Sequence, residues 1–398
     1  MDFTDFERVT LKFWRDYMSG ISDAKKAGKL CSGEGGILFP NILMVTNCEG
    51  YYVAELLGAG FEYVGLSLKK SRTQSISKYF NQFDDSAETP LFVLDGSDIR
   101  LEWLCLSHAG DFEEVKKRFP AFGNISTRLI RTSEAETSGS VVAFSDAFRS
   151  ASFHNCLIVN QRGSAYRCKS ILALMVVSSS VKAGELKEFY SRQQKGDEVS
   201  AVHTVSAGGE SVVAAGQFQN LYLSQGVHET TLGEFLRLHP DFLKKSFSCD
   251  EFLYEKSFQW KESKFFRDEQ SINPDLLIKR LDGFYDICDL KTAAFKYKSL
   301  TNSKTSRKKF NDYIYDGIAQ LNTYREYFTY EENARHAFEV HGVKVSNPKL
   351  ILIVGSWENA CLVDIEQACL NHPEITIIDY DTFCHLYIAA AHDSARLT

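Results

Sequence analysis

No apolar run in this chain approaches the roughly 18 to 20 residues needed to cross a bilayer. The opening segment, MDFTDFERVTLKFWRDY, is charged and aromatic where a secretion signal would be apolar. A cytoplasmic protein with no membrane partner is the expectation. The ten cysteines include no CxxC pair of the kind that marks a zinc knuckle or a redox site, so reduced, mostly buried thiols are expected. Positive charge is also short: the formal net charge of -7 excludes a protein coated in positive potential, as many small nucleic-acid binders are. A nucleic-acid enzyme stays open, because carboxylates that hold cations add negative charge and phosphates can be met by local basic patches and backbone amides. Low-complexity tracts and internal repeats are missing too, which argues for a chain that folds throughout.

What is present points to two domains, since 398 residues exceed the roughly 250 at which single cores stop growing. The expected fold class is α/β. Residues 1–215 read as a β-rich α+β region with a helical start, Phe3 to Met18, carrying Phe6, Val9, Phe13 and Tyr17 at helical spacing. Strand candidates follow in ILFPNILMVTN, GYYVAELL, FEYVGLSL, LFVLDGSDIRLEWLCLS, SVVAFSDAF, NCLIVNQRG and ILALMVVSSS. No catalytic signature stands out there. The stretch from Ser191 to Gly226 turns polar and glycine-containing, and SVVAAG and FQNLYLS within it read as further strand; the domain boundary is placed at 215/216.

Residues 216–398 are more legible. ETTLGEFLRLHPDFL predicts a helix with Leu232, Phe235 and Leu236 on one face, broken at His239-Pro240. A strand around EFLYEKSFQW, a hairpin from Pro274 to Thr292, a basic loop and a helix from about Phe310 to Phe328 come next. KLILIVGS and EITIIDY predict strands, with a helix over ENACLVDIEQACL and another closing the chain. Helix, three strands, helix, strand is an α/β sandwich order.

The hairpin NPDLLIKRLDGFYDICDLKTA carries the chemistry, and its register decides whether there is any. A two-residue Asp-Gly loop would pair Asp275 with Leu290 and throw Asp275 onto the face opposite Asp289 and Lys291. A three-residue loop, Leu281-Asp282-Gly283, instead pairs Arg280 with Phe284 and sets Asp275 across from Asp289, with glycine where a left-handed residue is needed. Cross-strand partners lie about 4.5–5.5 Å apart at Cβ, so the carboxylates would converge with Lys291 two residues on. Such a pair grips a divalent cation, Mg²⁺ (or Mn²⁺) being favoured by all-oxygen ligands, and phosphodiester hydrolysis needs that cation and an ammonium beside it. The competing reading is a surface charge pair on a strand.

Three further features bear on the site. Gln320 and Tyr324 stand one turn apart in QLNTY, a spacing at which an amide and a phenol reach one phosphate, or at which a solvated Gln merely precedes a core Tyr. Glu229 opens the first helix of the region and is preferred to Glu234 as an additional metal ligand, although acidic residues are ordinary in first turns. The loop KTAAFKYKSLTNSKTSRKKF holds Lys296, Lys298, Lys304, Arg307, Lys308 and Lys309 with Phe295, Tyr297 and Phe310 interleaved, which suits DNA-backbone contact or simply a solvated loop.

These residues resemble the nuclease domain of the Shedu anti-phage defence proteins, within the PD-(D/E)xK superfamily of restriction-endonuclease-like folds. The resemblance runs over E-x-x-L-x-x-F-L-x-x-x-P (Glu229, Leu232, Phe235, Leu236, Pro240), Pro274-Asp275, Asp289-Leu290-Lys291 and Q-x-x-x-Y (Gln320, Tyr324), and ends with KLILIVG. It covers the C-terminal 170 residues only; the Q-x-x-x-Y element is also similar to RecB-type nucleases. The family usually writes Glu-Leu-Lys where Asp289-Leu290-Lys291 stands, and often glutamine where Gly233 stands. The resemblance implies Asp275, Asp289 and Glu229 as metal ligands with Lys291, Gln320 and Tyr324 completing a DNA endonuclease. It also implies a homotetramer formed through the nuclease domains, a possible phage-derived activator, and a regulatory or sensing N-terminal region. A DNA-binding or DNA-end-clamping module with weak or no cleavage is the rival, and a restriction-type enzyme whose first 215 residues read sequence is a third reading.

Overall fold

The computed structural model describes residues 1–29, 37–76, 79, 90–94, 99–101, 105–106, 141–144, 148–162, 165–194, 203–204, 210–224, 226–263, 270–294, 296–302 and 308–394. Among them the chain is a mixed α/β protein with two mixed sheets and nine helices. It divides into Met1–Asn220, which takes in the chain end from Ala391, and Leu221–Ala390. Among the described residues no helix is long and apolar enough to cross a membrane.

The first unit opens with α1 (Phe3–Lys26), capped by Asp2, whose carboxylate accepts the Asp5 N–H at 2.7 Å. Its strands are β1 (Ile37–Leu38), β2 (Ile42–Cys48), β3 (Tyr51–Leu57), β4 (Ser67–Lys70), β5 (Pro90–Leu94), β6 (Ile99–Leu101), β7 (Cys105–Leu106), β8 (Val141–Phe144), β9 (Ser150–Arg162), β10 (Ala165–Ser178) and β11 (His203–Thr204). Between β10 and β11 lies α2 (Ala183–Gln194), and α3 (Glu210–Tyr222) follows β11. The large sheet runs β4-β2-β3-β10-β9-β6, with β7 also on β9. One face, with Ala54, Leu56, Ala173, Met175 and Val177, packs with Phe6, Val9, Trp14 and Met18 of α1. The core stripe of α1 therefore shifts from the expected Phe13 and Tyr17 to Trp14 and Met18. Phe13 is half-buried and stacks on Tyr190 with ring centroids 4.3 Å apart. SVVAAG and FQNLY, expected as strand, are helical in α3, and the division at Asn220/Leu221 falls inside that helix. A short apolar run there suits either structure, and periodicity alone does not separate them.

The second unit is a five-stranded sheet between helices. In chain order it holds α4 (Glu229–Leu238), α5 (Pro240–Phe247), β12 (Phe252–Tyr254), β13 (Phe258–Gln259), β14 (Ser271–Ile272), β15 (Leu276–Lys279) and β16 (Tyr285–Leu290). Then come β17 (Thr301–Asn302), β18 (Lys309–Phe310), α6 (Asp312–Tyr327), α7 (Glu331–His341), β19 (Leu350–Ile353), α8 (Leu362–Cys369), β20 (Ile375–Ile378) and α9 (Tyr380–Ser394). Strand order is β12-β15-β16-β19-β20, antiparallel as far as β16 and parallel from β16 to β20. Two parallel neighbours need a crossover, which α6 and α7 provide between β16 and β19. The α6 side is filled by Leu277, Ile287, Ile314, Ile318, Leu321, Leu350 and Leu352. β16 is buried along its whole length, as a strand covered on both faces must be. Helix α7 was not anticipated, although Glu331 and Glu332 in its first turn and Gly342 just past its end, at φ +69°, are ordinary start and stop signals.

Candidate active site

The geometry begins at the hairpin turn. Arg280 N–H donates to Phe284 O at 2.8 Å, Gly283 N–H to Arg280 O at 3.0 Å, and Gly283 sits at φ +84°. This is the three-residue loop, and the pairs Lys279 with Tyr285, Leu277 with Ile287 and Leu276 with Cys288 follow from it. Arg280 locks the turn in place through Asp282 at 2.9 Å, Asp286 at 3.1 Å, and the carbonyls of Ser346 and Asn347 at 3.1 Å each. One step beyond Leu276–Cys288 the same register puts Asp275 opposite Asp289. By alternation both share the face of Leu277 and Ile287, against which α6 packs.

Each charged side chain is held by a different device. Asp275 Oδ2 accepts the Leu290 N–H at 2.7 Å, so a carboxylate replaces a ladder carbonyl where β15 begins. Asp289 is 1 % exposed, and its Oδ2 lies 2.7 Å from Lys291 Nζ. Lys291 N–H donates to Ile353 O at 2.9 Å and its carbonyl accepts the Tyr380 hydroxyl at 2.5 Å, which fixes the backbone beneath the ammonium. Gly317 on α6 makes room above: a Cβ there would stand 3.4 Å from Lys291 Cε and 2.9 Å from Leu352 Cδ1.

Glu229, the first residue of α4, joins this group. Its Oε2 lies 3.7 Å from Lys291 Nζ and its Oε1 accepts the Tyr313 hydroxyl at 2.8 Å. Glu234 does not: it forms a two-point pair with Arg237, at 2.6 and 2.7 Å, on the exposed side of the helix. Three carboxylates thus gather around one ammonium. Burial pushes the Asp289 carboxyl up to about 7, with Asp275 adding to the shift and Lys291 opposing it. Asp275 is raised as well, again chiefly by burial, while the Leu290 N–H and Lys291 pull it back. For Lys291 burial works downward, but Asp289, Glu229 and Asp275 together outweigh it and the ammonium is raised.

Of the other expected residues, Gln320 is exposed on α6 and Tyr324 is buried in the core cluster. In the basic loop Lys296, Lys298 and Lys309 are exposed, and Lys308 pairs with Asp364 at 3.2 Å. Lys304, Arg307 and Phe295 lie outside the described residues. Phe310 is a correction: it is 1 % exposed, because the β17–β18 pairing turns it into the core, and it offers no face to a base. Cys48, Cys168, Cys249, Cys288, Cys361, Cys369 and Cys384 stand outside any disulfide, and all but Cys361 and Cys369 are buried.

The hairpin reading missed two tyrosines. Tyr313, in the first turn of α6, accepts the Thr292 N–H at 2.8 Å and bonds the Thr292 hydroxyl at 2.9 Å besides its bond to Glu229. Its signal was the Tyr313, Gly317, Gln320, Tyr324 spacing, which continues the Q-x-x-x-Y stripe back to the start of the helix. Tyr254 lies over Gly233, where a Cβ would meet its hydroxyl at 2.3 Å. Glycine at 233 is therefore a packing requirement of this tyrosine.

As a donor set the cluster suits a hard cation, being all oxygen and net negative. Among the described residues no three His, Cys, Asp or Glu side chains form a ready metal-holding group. Mg²⁺ does not require one, since it keeps several waters and binds through one or two carboxylates plus substrate phosphate. Asp275 and Asp289 fit that demand. The sequence matches no protein-family model and no curated relative.

Proposed function

We propose that the second unit is a Mg²⁺-dependent deoxyribonuclease of the PD-(D/E)xK kind, working in anti-phage defence as its resemblance to Shedu proteins implies. The observation that carries this reading is the register that sets Asp275 across from Asp289 with Lys291 on the same face. Charge supports it: three carboxylates sharing one buried ammonium leave negative charge that a divalent cation would neutralise. Bound there, Mg²⁺ or Mn²⁺ supplies Lewis-acid stabilisation and an acidified water.

Asp275 and Asp289 hold the cation. Lys291, mostly shielded from solvent, directs its ammonium at the attacking water or at charge developing on the phosphoryl oxygens, where low exposure strengthens the interaction. Lys296, Lys298 and Lys309 are exposed and would meet the phosphate backbone. Assembly into a homotetramer, a phage-derived activator and a regulatory first unit belong to the same proposal, and rest on the resemblance alone.

A DNA-clamping module is the second reading, favoured by one observation: Lys291 already occupies Asp289 at 2.7 Å. Incubating supercoiled, linear and single-stranded DNA with the pure protein, in Mg²⁺ and in EDTA, separates the two. Cleavage in Mg²⁺ alone, falling about 100-fold or more in Asp289→Ala and Lys291→Ala, is expected. Cleavage that persists in Asp289→Ala overturns the nuclease reading. Binding and protection of DNA ends without cleavage by the wild-type protein would establish the clamp.

A further inference from the structure

Lys291 Nζ already occupies Asp289 Oδ2 at 2.7 Å, so a cation taking that oxygen would stand close beside the ammonium and repel it. The ammonium needs somewhere to go. Glu229 Oε2 is 3.7 Å from Nζ, inside ion-pair range and about an ångström short of a hydrogen bond. Glu229 is not free to wander, since the Tyr313 hydroxyl holds its other oxygen at 2.8 Å. Tyr313 is itself fixed by the Thr292 N–H at 2.8 Å, one residue from the lysine it serves. Accepting from that N–H leaves the phenol proton directed to Glu229. Gly317 leaves the space through which the Lys291 stem can turn, its missing Cβ being the atom that would touch Cε.

We propose that Tyr313 is a positioning residue which anchors Glu229 as the carboxylate that receives the Lys291 ammonium when a divalent cation displaces it from Asp289. This rests on the metal-dependent reading above and adds a role for Glu229 different from metal ligation: Glu229 sets how readily Lys291 yields its place. The pair then tunes cation affinity without touching the cation. Outer partners of this kind commonly change metal affinity by about 10- to 100-fold.

Calorimetric titration of Mg²⁺ into the full-length protein tests this without any activity measurement. Asp289→Asn should abolish binding, whereas Tyr313→Phe and Glu229→Gln should each weaken it about tenfold at an unchanged metal-free melting temperature. Thr292→Val, which removes the threonine hydroxyl but keeps the backbone N–H and the Tyr313–Glu229 bond, should bind as the wild type does. Wild-type affinity in Tyr313→Phe overturns the proposal and leaves the nuclease reading standing. A Glu229→Gln loss as complete as that of Asp289→Asn makes Glu229 a metal ligand and also overturns it. Equal weakening in Thr292→Val would reduce Tyr313 to packing. If Tyr313→Phe does not fold, Glu229→Gln alone decides, since it leaves the tyrosine in place. No Mg²⁺ binding by the wild type defeats both the proposal and the reading beneath it.

Discussion

Each unit of this protein buries a carboxylate against a lysine at the same 2.7 Å separation, and the surroundings make them different objects. In the first unit Glu55 and Lys169 have side chains 1 % and 0 % exposed; Oε2 of the glutamate pairs with the lysine and Oε1 accepts the Tyr79 hydroxyl. Both oxygens are used, and the pair is sealed in the sheet. In the second unit Asp289 and Lys291 are nearly as buried, but two more carboxylates, Asp275 and Glu229, lean on the same ammonium, and the Glu229 side chain is 38 % exposed. Where every group is matched, a buried ion pair is architecture. Where acceptors outnumber the ammonium and one of them reaches solvent, the cluster keeps the negative charge that the proposed cation would use.

The sharpest way to break this comparison is to remove one partner from each. Lys169→Met leaves the buried Glu55 carboxyl without its lysine in the sheet, and should cost about 3–5 kcal/mol in urea unfolding of the first unit. Asp289→Asn removes the carboxylate partner in the second unit, yet Asp275 and Glu229 still face Lys291, so the loss should stay within about 1 kcal/mol. Equal losses would mean that the second cluster is also architecture. Gly233→Ala pushes a methyl into Tyr254, and overpacking of that kind should cost about 1–3 kcal/mol, read as a lowered melting temperature. A smaller effect than this overpacking belongs to the turn. Gly283→Ala at φ +84° should cost about 1 kcal/mol and lower apparent Mg²⁺ affinity only if the hairpin register slips.

The two pairs also differ in how far the amino-acid sequence reveals them. The hairpin was legible because everything it needs lies within one short stretch: a glycine that suits the left-handed position of a three-residue loop, and a parity that follows from that loop. Glu55 and Lys169 are 114 residues apart on strands whose text is mostly apolar, with nothing local to join them. Tyr313 and Glu229 are 84 apart and meet only because α4 and α6 both approach the end of β16. The run from Ser211 to Tyr222 misled in the opposite direction, since its apolar residues suit a strand and its helix is decided by packing that no local pattern encodes. Local chemistry fixed by a turn can be read from the chain. Partnerships made by tertiary approach cannot.

The central claim is that two carboxylates on one face of the β15–β16 pair hold a divalent cation. A crystal soaked in Mn²⁺ and measured for anomalous scattering tests it most directly. The account predicts one strong peak about 2.0–2.2 Å from oxygens of both Asp275 and Asp289, with Lys291 Nζ moved from Asp289 toward Glu229. A soaked crystal with no peak between these carboxylates, and with Lys291 still paired to Asp289, would contradict it.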